Sequence, residues 1–183
     1  VTEFVPWPKT KRLFREIVIT EKIDGTNAAI HVDASGYAVA TQSRNRLITP
    51  EADNYGFARW VYEHAELLGL LLGPGVHFGE WWGRGIQRNY GLSERRFSLF
   101  NTDAHADIDV PLGGVLVRPV PVLYRGEFRE GEIKAWLANL ADYGSVAAPG
   151  FPAPEGVCIF HTQTRNVFKV TLDANDAGKW EAR

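Results

Sequence analysis

Methionine is missing from all 183 residues, and cysteine occurs once, as Cys158. A lone cysteine excludes an internal disulfide and any zinc site built on cysteine. A reducing, cytoplasmic setting is the expectation that follows. The lack of methionine implies that Val1 is not the translated start. No apolar run approaches the roughly 20 residues of a membrane-spanning helix, so no membrane partner is expected. Residues 1–11 lack the basic-then-apolar layout of a signal peptide. There is no internal repeat and no low-complexity tract. The phosphate-binding pattern Gly-x-x-x-x-Gly-Lys-Ser/Thr is absent, and no credible Ser-His-Asp or zinc pattern occurs. Any nucleotide must therefore be held in another way. Charge is nearly balanced, at a formal net −2, so a nucleic-acid binder would have to gather its positive charge on one face.

What is present is an ordinary globular composition, long enough for a substantial core and read as one domain over residues 1–183. Arginine and lysine cluster locally: Lys9, Lys11, Arg12 and Arg15; Arg44 and Arg46; Arg84, Arg88, Arg95 and Arg96. Each cluster reads either as solvated surface or as part of a binding face. Enrichment in arginine, alanine and glycine suits a GC-rich genome, a phage's among them.

Residues 17–20 read as a β-branched strand. Residues 27–33 and 37–43 read as a hairpin turning at Ala34-Ser35-Gly36. Over residues 53–73 the period becomes helical, through Phe57, Trp60, Val61, His64, Leu67, Leu68 and Leu71, with Asp53 as N-cap and Gly73 as stop. His64 on that apolar stripe reads as a core or boundary residue. Strands are expected at 76–82, 96–103 and 115–124, the last an edge strand because it carries Pro119 and Pro121. An amphipathic helix over 130–143, a Pro/Ala/Gly loop over 145–154, and strands at 156–162 and 166–172 complete the chain. The pattern predicts an α+β fold of mostly antiparallel, twisted sheets with flanking helices.

The block Glu21-Lys22-Ile23-Asp24-Gly25-Thr26-Asn27 follows the first strand. A lysine is a nucleophile only when neutral, and its free pKa lies about three units above neutrality, so a reactive Lys22 needs a site that disfavours the charge. Asp24 returns to the same side of an extended chain, and Gly25 permits a tight turn. Taken alone, the block also fits a surface turn. Glu80 sits between aromatics and glycines in Phe78-Gly79-Glu80-Trp81-Trp82-Gly83. Burying an unpaired carboxylate is costly, so either a sugar hydroxyl or an arginine of the following loop should satisfy it. Glu155 opens a strand, where it either faces a divalent metal or lies on the surface. Strand alternation puts Phe168, Val170 and Leu172 toward a core, and Lys169 with Thr171 on the opposite face. There Lys169 would either grip a phosphate or meet solvent. Asp103, His105, Asp107 and Asp109 resemble a metal cluster only superficially, and the spacing suits a solvated loop better.

In order, these blocks resemble the covalent lysine nucleotidyltransferases, and among them the ATP-dependent RNA ligases. Residues 21–27 are similar to the nucleotidyl motif, including its Thr-Asn ending, and Ser43-Arg44 to the arginine after it. Phe78-Gly79-Glu80, residues 97–101, Glu155-Gly156-Val157 and Phe168-Lys169 resemble the later motifs. The resemblance covers residues 21–172. It implies that Lys22 attacks the α-phosphate of ATP and carries AMP. Glu21 would read the adenine edge, Phe100 would stack on the ring and Glu80 would bind the ribose. Arg44 and Asn27 would contact phosphate, including the 5′-phosphate of an RNA end. Glu155 would position Mg²⁺ or Mn²⁺, and Lys169 would neutralise the α-phosphate. The implied partners are RNA (or DNA) 5′-phosphate and 3′-hydroxyl ends.

Three departures stand out. Thr171 occupies the place of a usual second lysine, Asn101 that of an aspartate, and only eleven residues follow Leu172. The last leaves no room in this chain for an oligonucleotide-binding or other C-terminal domain, and points to a minimal, single-domain RNA ligase. Two further readings remain: a 5′-end adenylyltransferase that joins weakly or only with a partner, and an inert module that binds nucleic-acid ends.

Overall fold

The computed structural model describes residues 2–173. The segment on which the expectation about a missing C-terminal domain falls lies largely outside the described residues. No helix among them is long and apolar enough to cross a membrane. The fold is α+β and built on two sheets.

The smaller sheet has the order β11-β10-β1-β9, with every neighbour antiparallel. Its strands are β1 (Glu16–Lys22), β9 (Val122–Glu127), β10 (Gly156–His161) and β11 (Asn166–Thr171). The helix α3 (Glu130–Tyr143) covers one face, where Ile17, Ile19, Val157 and Ile159 bury against Leu140, Trp136 and Leu137. Alternation along β1 therefore gives Ile17 and Ile19 to this core.

The larger sheet has the order β4-β3-β2-β5-β6-β8-β7. It contains the hairpin β2 (Thr26–Val32) and β3 (Ala38–Ser43), then β4 (Leu47–Ile48), β5 (Gly75–Gly83), β6 (Arg95–Leu99), β7 (Val110–Leu112) and β8 (Val115–Pro119). Only β6 and β8 run parallel. The hairpin turn is locked by Asp33, whose carboxylate accepts the amides of Ser35 (2.9 Å) and Tyr37 (3.1 Å), while Gly36 supplies φ 80°. Two short helices, α1 (Phe57–Glu63) and α2 (Ala65–Leu72), seal one face over Phe57, Trp60, Leu68, Trp81 and Phe97. A third cluster, Ile23, Trp82, Tyr90, Val120 and Ala147, packs where the chain passes between the sheets.

Five expectations are corrected. The single helix over 53–73 is two, because His64 leaves the helical region (φ −124°, ψ 24°) and its Nδ1 turns to the Trp60 carbonyl at 2.8 Å. Gly56 is the N-cap, although Asp53 still accepts the amides of Ala58 (2.8 Å) and Arg59 (3.0 Å). The strand over 96–103 ends at Leu99, and the chain then turns, with Asn101 accepting the Ala104 amide at 3.1 Å. The single strand over 115–124 is two strands in different sheets, β8 and β9. Pro119 and Pro121 bracket the crossover, and β8 is internal, between β6 and β7. Prolines deprive that stretch of amide donors, which a crossing segment tolerates as well as an edge does. Finally, Phe168 is 56 % exposed and Leu172 36 % exposed, so only Val170 of that alternation reaches the core. As the outermost strand, β11 has only part of one face covered.

Candidate active site

β1 delivers Lys22 at its last position, opposite Gly156 on β10. A Cβ at Gly156 would stand 2.2 Å from the Val170 carbonyl oxygen and 2.7 Å from Thr171 Cα, and its φ is 151°. Only glycine fits there. The residue before it, Glu155, consequently reaches Lys22, with Oε1 2.7 Å from Nζ and both side chains mostly buried. Glu155 Oε2 is buried with no hydrogen-bond partner. A buried carboxylate oxygen left in that state has lone pairs free for a cation or a donor from a bound molecule.

The open face of the larger sheet contributes the rest. Glu80 and Asn27 face each other across the β5–β2 ladder. Glu80 Oε1 accepts the Gly25 amide and Oε2 accepts Asn27 Nδ2, each at 3.0 Å. Asn27 Oδ1 in turn accepts Arg44 Nε at 2.8 Å. The amide thus links carboxylate to guanidinium in one chain of bonds. Gly25 can approach Glu80 because it has no side chain: a Cβ would lie 2.5 Å from the Trp81 carbonyl oxygen and 2.6 Å from Trp82 Cβ. No loop arginine pairs with Glu80 among the described residues; the Gly25 amide and Asn27 Nδ2 do. Beside this chain lies a cavity of ≈ 320 Å³, lined by Asn27, Gln42, Arg44, Phe78 and Phe100 among others. Phe78 and Phe100 are 53 % and 44 % exposed, so aromatic surface is open to a flat ligand.

Electrostatics couple these groups. Burial pushes the Glu80 carboxyl up to about 7, with Glu155 and Asp24 adding to the rise and the Gly25 amide and Lys22 opposing it. Cys158, opposite both Thr20 and Lys169 in the ladders, is likewise raised by burial, and feels Lys22, Glu155, Glu80 and Lys169 together. Lys169 itself is exposed on β11. Lys22, Glu155 and Glu80 are thus within electrostatic reach of one another, and Asn27 and Arg44 link Glu80 to the cavity that Phe78 and Phe100 line.

Glu21 lies elsewhere. It continues the face of Ile17 and Ile19 and is 1 % exposed. Its carboxylate accepts Ser145 Oγ at 2.6 Å and the amides of Val146 and Ala147 at 2.8 Å each. Burial raises its pKa against the pull of those bonds. The side chain read from the resemblance as facing adenine is engaged in holding the loop after α3. The acidic stretch 103–109 does not converge: Asp103 pairs with Arg125, Asp109 with Arg118 at 3.3 Å, and His105 Nε2 stands 3.2 Å from His77 Nδ1. Among the described residues no group of three or more His, Cys, Asp or Glu side chains could hold a metal.

Several contributors escaped the sequence reading. Tyr90 accepts the Asp24 amide at 2.8 Å, and Arg88 pairs with Asp24 at 2.9 Å. Tyr90 and Arg88 come from the segment between β5 and β6, whose arginines read in the sequence only as a cluster, with no sign of what they would touch. Ser145 gave no local signal at all.

The RNA ligase family profile matches residues 15–171. The chain belongs to the RNA ligase family. Solved structures of Naegleria gruberi RNA ligase share its fold. One mutant with ATP and Mn aligns at TM-score 0.63 and 17 % identity, over 96 % of this chain and 58 % of that one. An apo mutant aligns at 0.62 and 18 %, over 92 % and 52 %. A mutant with AMP and Mn aligns at 0.58 and 19 %, over 92 % and 53 %. This family member thus spans about half the length of the structures it matches. No curated protein sequence matches it significantly.

Proposed function

We propose that this chain is an ATP-dependent polynucleotide ligase that joins 5′-phosphate and 3′-hydroxyl RNA ends through a lysyl-AMP intermediate. The observation that carries the reading is the Lys22–Glu155 pair within electrostatic reach of Glu80, which the Asn27 amide links to Arg44. Lys22 Nζ attacks the α-phosphorus of ATP, the bond to pyrophosphate breaks, and a phosphoramidate to AMP forms. A 5′-phosphate oxygen of RNA then attacks that phosphorus and releases Lys22, leaving an adenylated end. The 3′-hydroxyl attacks the 5′-phosphorus, AMP leaves, and the phosphodiester is made.

The chain's residues position and neutralise. Phe100 offers a stacking surface for adenine, and Glu80 accepts ribose hydroxyls in the ionised form that such donors favour. Arg44, oriented by Asn27, takes phosphate, and Lys169 adds positive charge near the α-phosphate. The adenine-edge role implied for Glu21 would have to compete with the Ser145–Ala147 loop. Glu155 Oε2, buried and unbonded, fits a divalent cation held jointly with phosphate oxygens, the usual arrangement for Mg²⁺ and Mn²⁺. When bound, the metal supplies charge neutralisation on the triphosphate. The two sheets would then work as one adenylyltransferase unit, in the reducing cytoplasm that the lone cysteine suits.

Incubation with ATP, a divalent metal and 5′-phosphorylated RNA, resolved on a denaturing gel, tests the reading. Joined product supports ligation. Adenylated RNA without joining would reduce the activity to 5′-end adenylylation, and neither product would leave an end-binding module.

A further inference from the structure

A second cavity, of ≈ 880 Å³, lies on the other face of the larger sheet. Glu80 and Trp81 are consecutive on β5 and so point to opposite faces. Trp81 packs with α1 and lines this cavity, together with Tyr55, Arg59, Arg84, Glu94 and Arg95.

Its charges are unevenly satisfied. Asp53, also in the lining, accepts the amides of Asn54, Ala58 and Arg59. Glu94 pairs with Arg96 at 2.6 Å and accepts the Ser93 hydroxyl. Arg95 lies 5.9 Å from the Trp81 ring centre and donates to the Tyr55 carbonyl. Arg59 and Arg84 are exposed. Among the described residues, Arg84 makes no side-chain hydrogen bond or ion pair, and Arg59 has only an electrostatic interaction with exposed Glu51. Glu63 is the one lining acid not already engaged. Two guanidinium groups and one carboxylate with no hydrogen-bond partner among the described residues thus line the cavity. Tyr55, 45 % exposed, adds an aromatic ring. Arginines for phosphates and an open ring for a base are what a single-stranded polynucleotide needs.

The cavity lies at the same end of the β2–β5 ladder as Glu80. Trp81 pairs with Thr26 in the β2–β5 ladder, next to the Asn27–Glu80 pair. Asn54 Nδ2, in the loop that lines the cavity, donates to Thr26 Oγ1 at 2.9 Å. Cavity and Glu80 thus lie on opposite faces at the same end of the ladder, so a strand of several nucleotides would round that end to reach from one to the other.

We infer that this cavity is a second polynucleotide subsite, holding the RNA strand several nucleotides from its reacting end through phosphates on Arg59 and Arg84 and a base on Tyr55. The inference rests on the ligase reading for where the strand ends.

The test compares the whole chain with an Arg59→Ala/Arg84→Ala double variant. Both side chains are exposed, so the fold is retained, and a melting curve checks this. Affinity for 5′-phosphorylated RNAs of about 4 and about 16 nucleotides is measured by fluorescence anisotropy across a salt series. The longer RNA should bind about tenfold more weakly to the variant, with its salt dependence reduced by about two in slope, while the shorter RNA is unaffected. AMP uptake from ATP should not change. Equal affinity and slope for the longer RNA would overturn the subsite. If the unaltered chain takes up no AMP, the ligase reading fails, yet a selective loss of long-RNA affinity would still support the subsite.

Discussion

Lys22 Nζ and Glu155 Oε1 stand 2.7 Å apart at the point where β1 ends and β10 begins. Gly156 makes this possible, since any side chain there would strike the β11 backbone. The pair is partly exposed, so its worth to stability is small, about 1 kcal/mol or less. Its worth to chemistry is larger, because Glu155 also presents the buried, unbonded Oε2. Glu155→Gln should slow AMP uptake about a hundredfold and raise the metal concentration needed, with little change in melting temperature. Rates across a metal titration check this; an unchanged rate would remove Glu155 from the site.

Asn27 couples Glu80 to Arg44. In a cycle of Asn27→Ala, Arg44→Ala and the double variant, the two losses in AMP-uptake rate should overlap by about 1 kcal/mol or more. Strictly additive losses would mean that Asn27 does not orient Arg44.

Glu80 sets a pH dependence of stability. Its folded pKa is raised by burial from 4.5 to about 7. Between those values the folded state binds more protons than the unfolded one, so stability is full below about pH 4.5 and falls as pH rises toward 7. The loss is roughly 3 kcal/mol at most. Glu21, also raised by burial, adds in the same direction. Melting temperatures at about pH 5 and pH 8 should therefore decline in the unaltered chain and decline less in Glu80→Gln. Parallel declines would contradict the assignment.

Glu21 should matter to folding first. Glu21→Ala strands the Ser145 hydroxyl and two amides, at a cost of about 3 kcal/mol, or roughly 6–12 °C in melting temperature. A variant with unchanged melting but weakened ATP binding would instead restore the adenine-reading role.

Much of this was legible from local pattern. The hairpin at Asp33–Tyr37 and the helix Glu130–Tyr143 announce themselves by turn residues and apolar period, and the stop at Gly73 by its glycine. The crossover between β8 and β9 did not, because Pro119 and Pro121 suit an edge and a crossing equally. The break at His64 was hidden by an apolar stripe that runs through both helices. The motif residues were identifiable one by one, whereas the pairing of Lys22 with Glu155 comes from the β1–β10 ladder, which joins strands far apart in sequence. Contacts made at long separation were not readable: Glu21 with Ser145, Asp24 with Arg88 and Tyr90, and Glu80 with Gly25 and Asn27. The face of β1 that holds Glu21 depends on where α3 packs, which no local pattern states.

The most direct test of the central claim is the intact mass of the protein after incubation with ATP and Mg²⁺ or Mn²⁺, beside Lys22→Ala. A gain of one AMP is expected in the unaltered chain and none in the variant. No gain with either metal, or an equal gain in Lys22→Ala, would contradict covalent nucleotidyl transfer through Lys22.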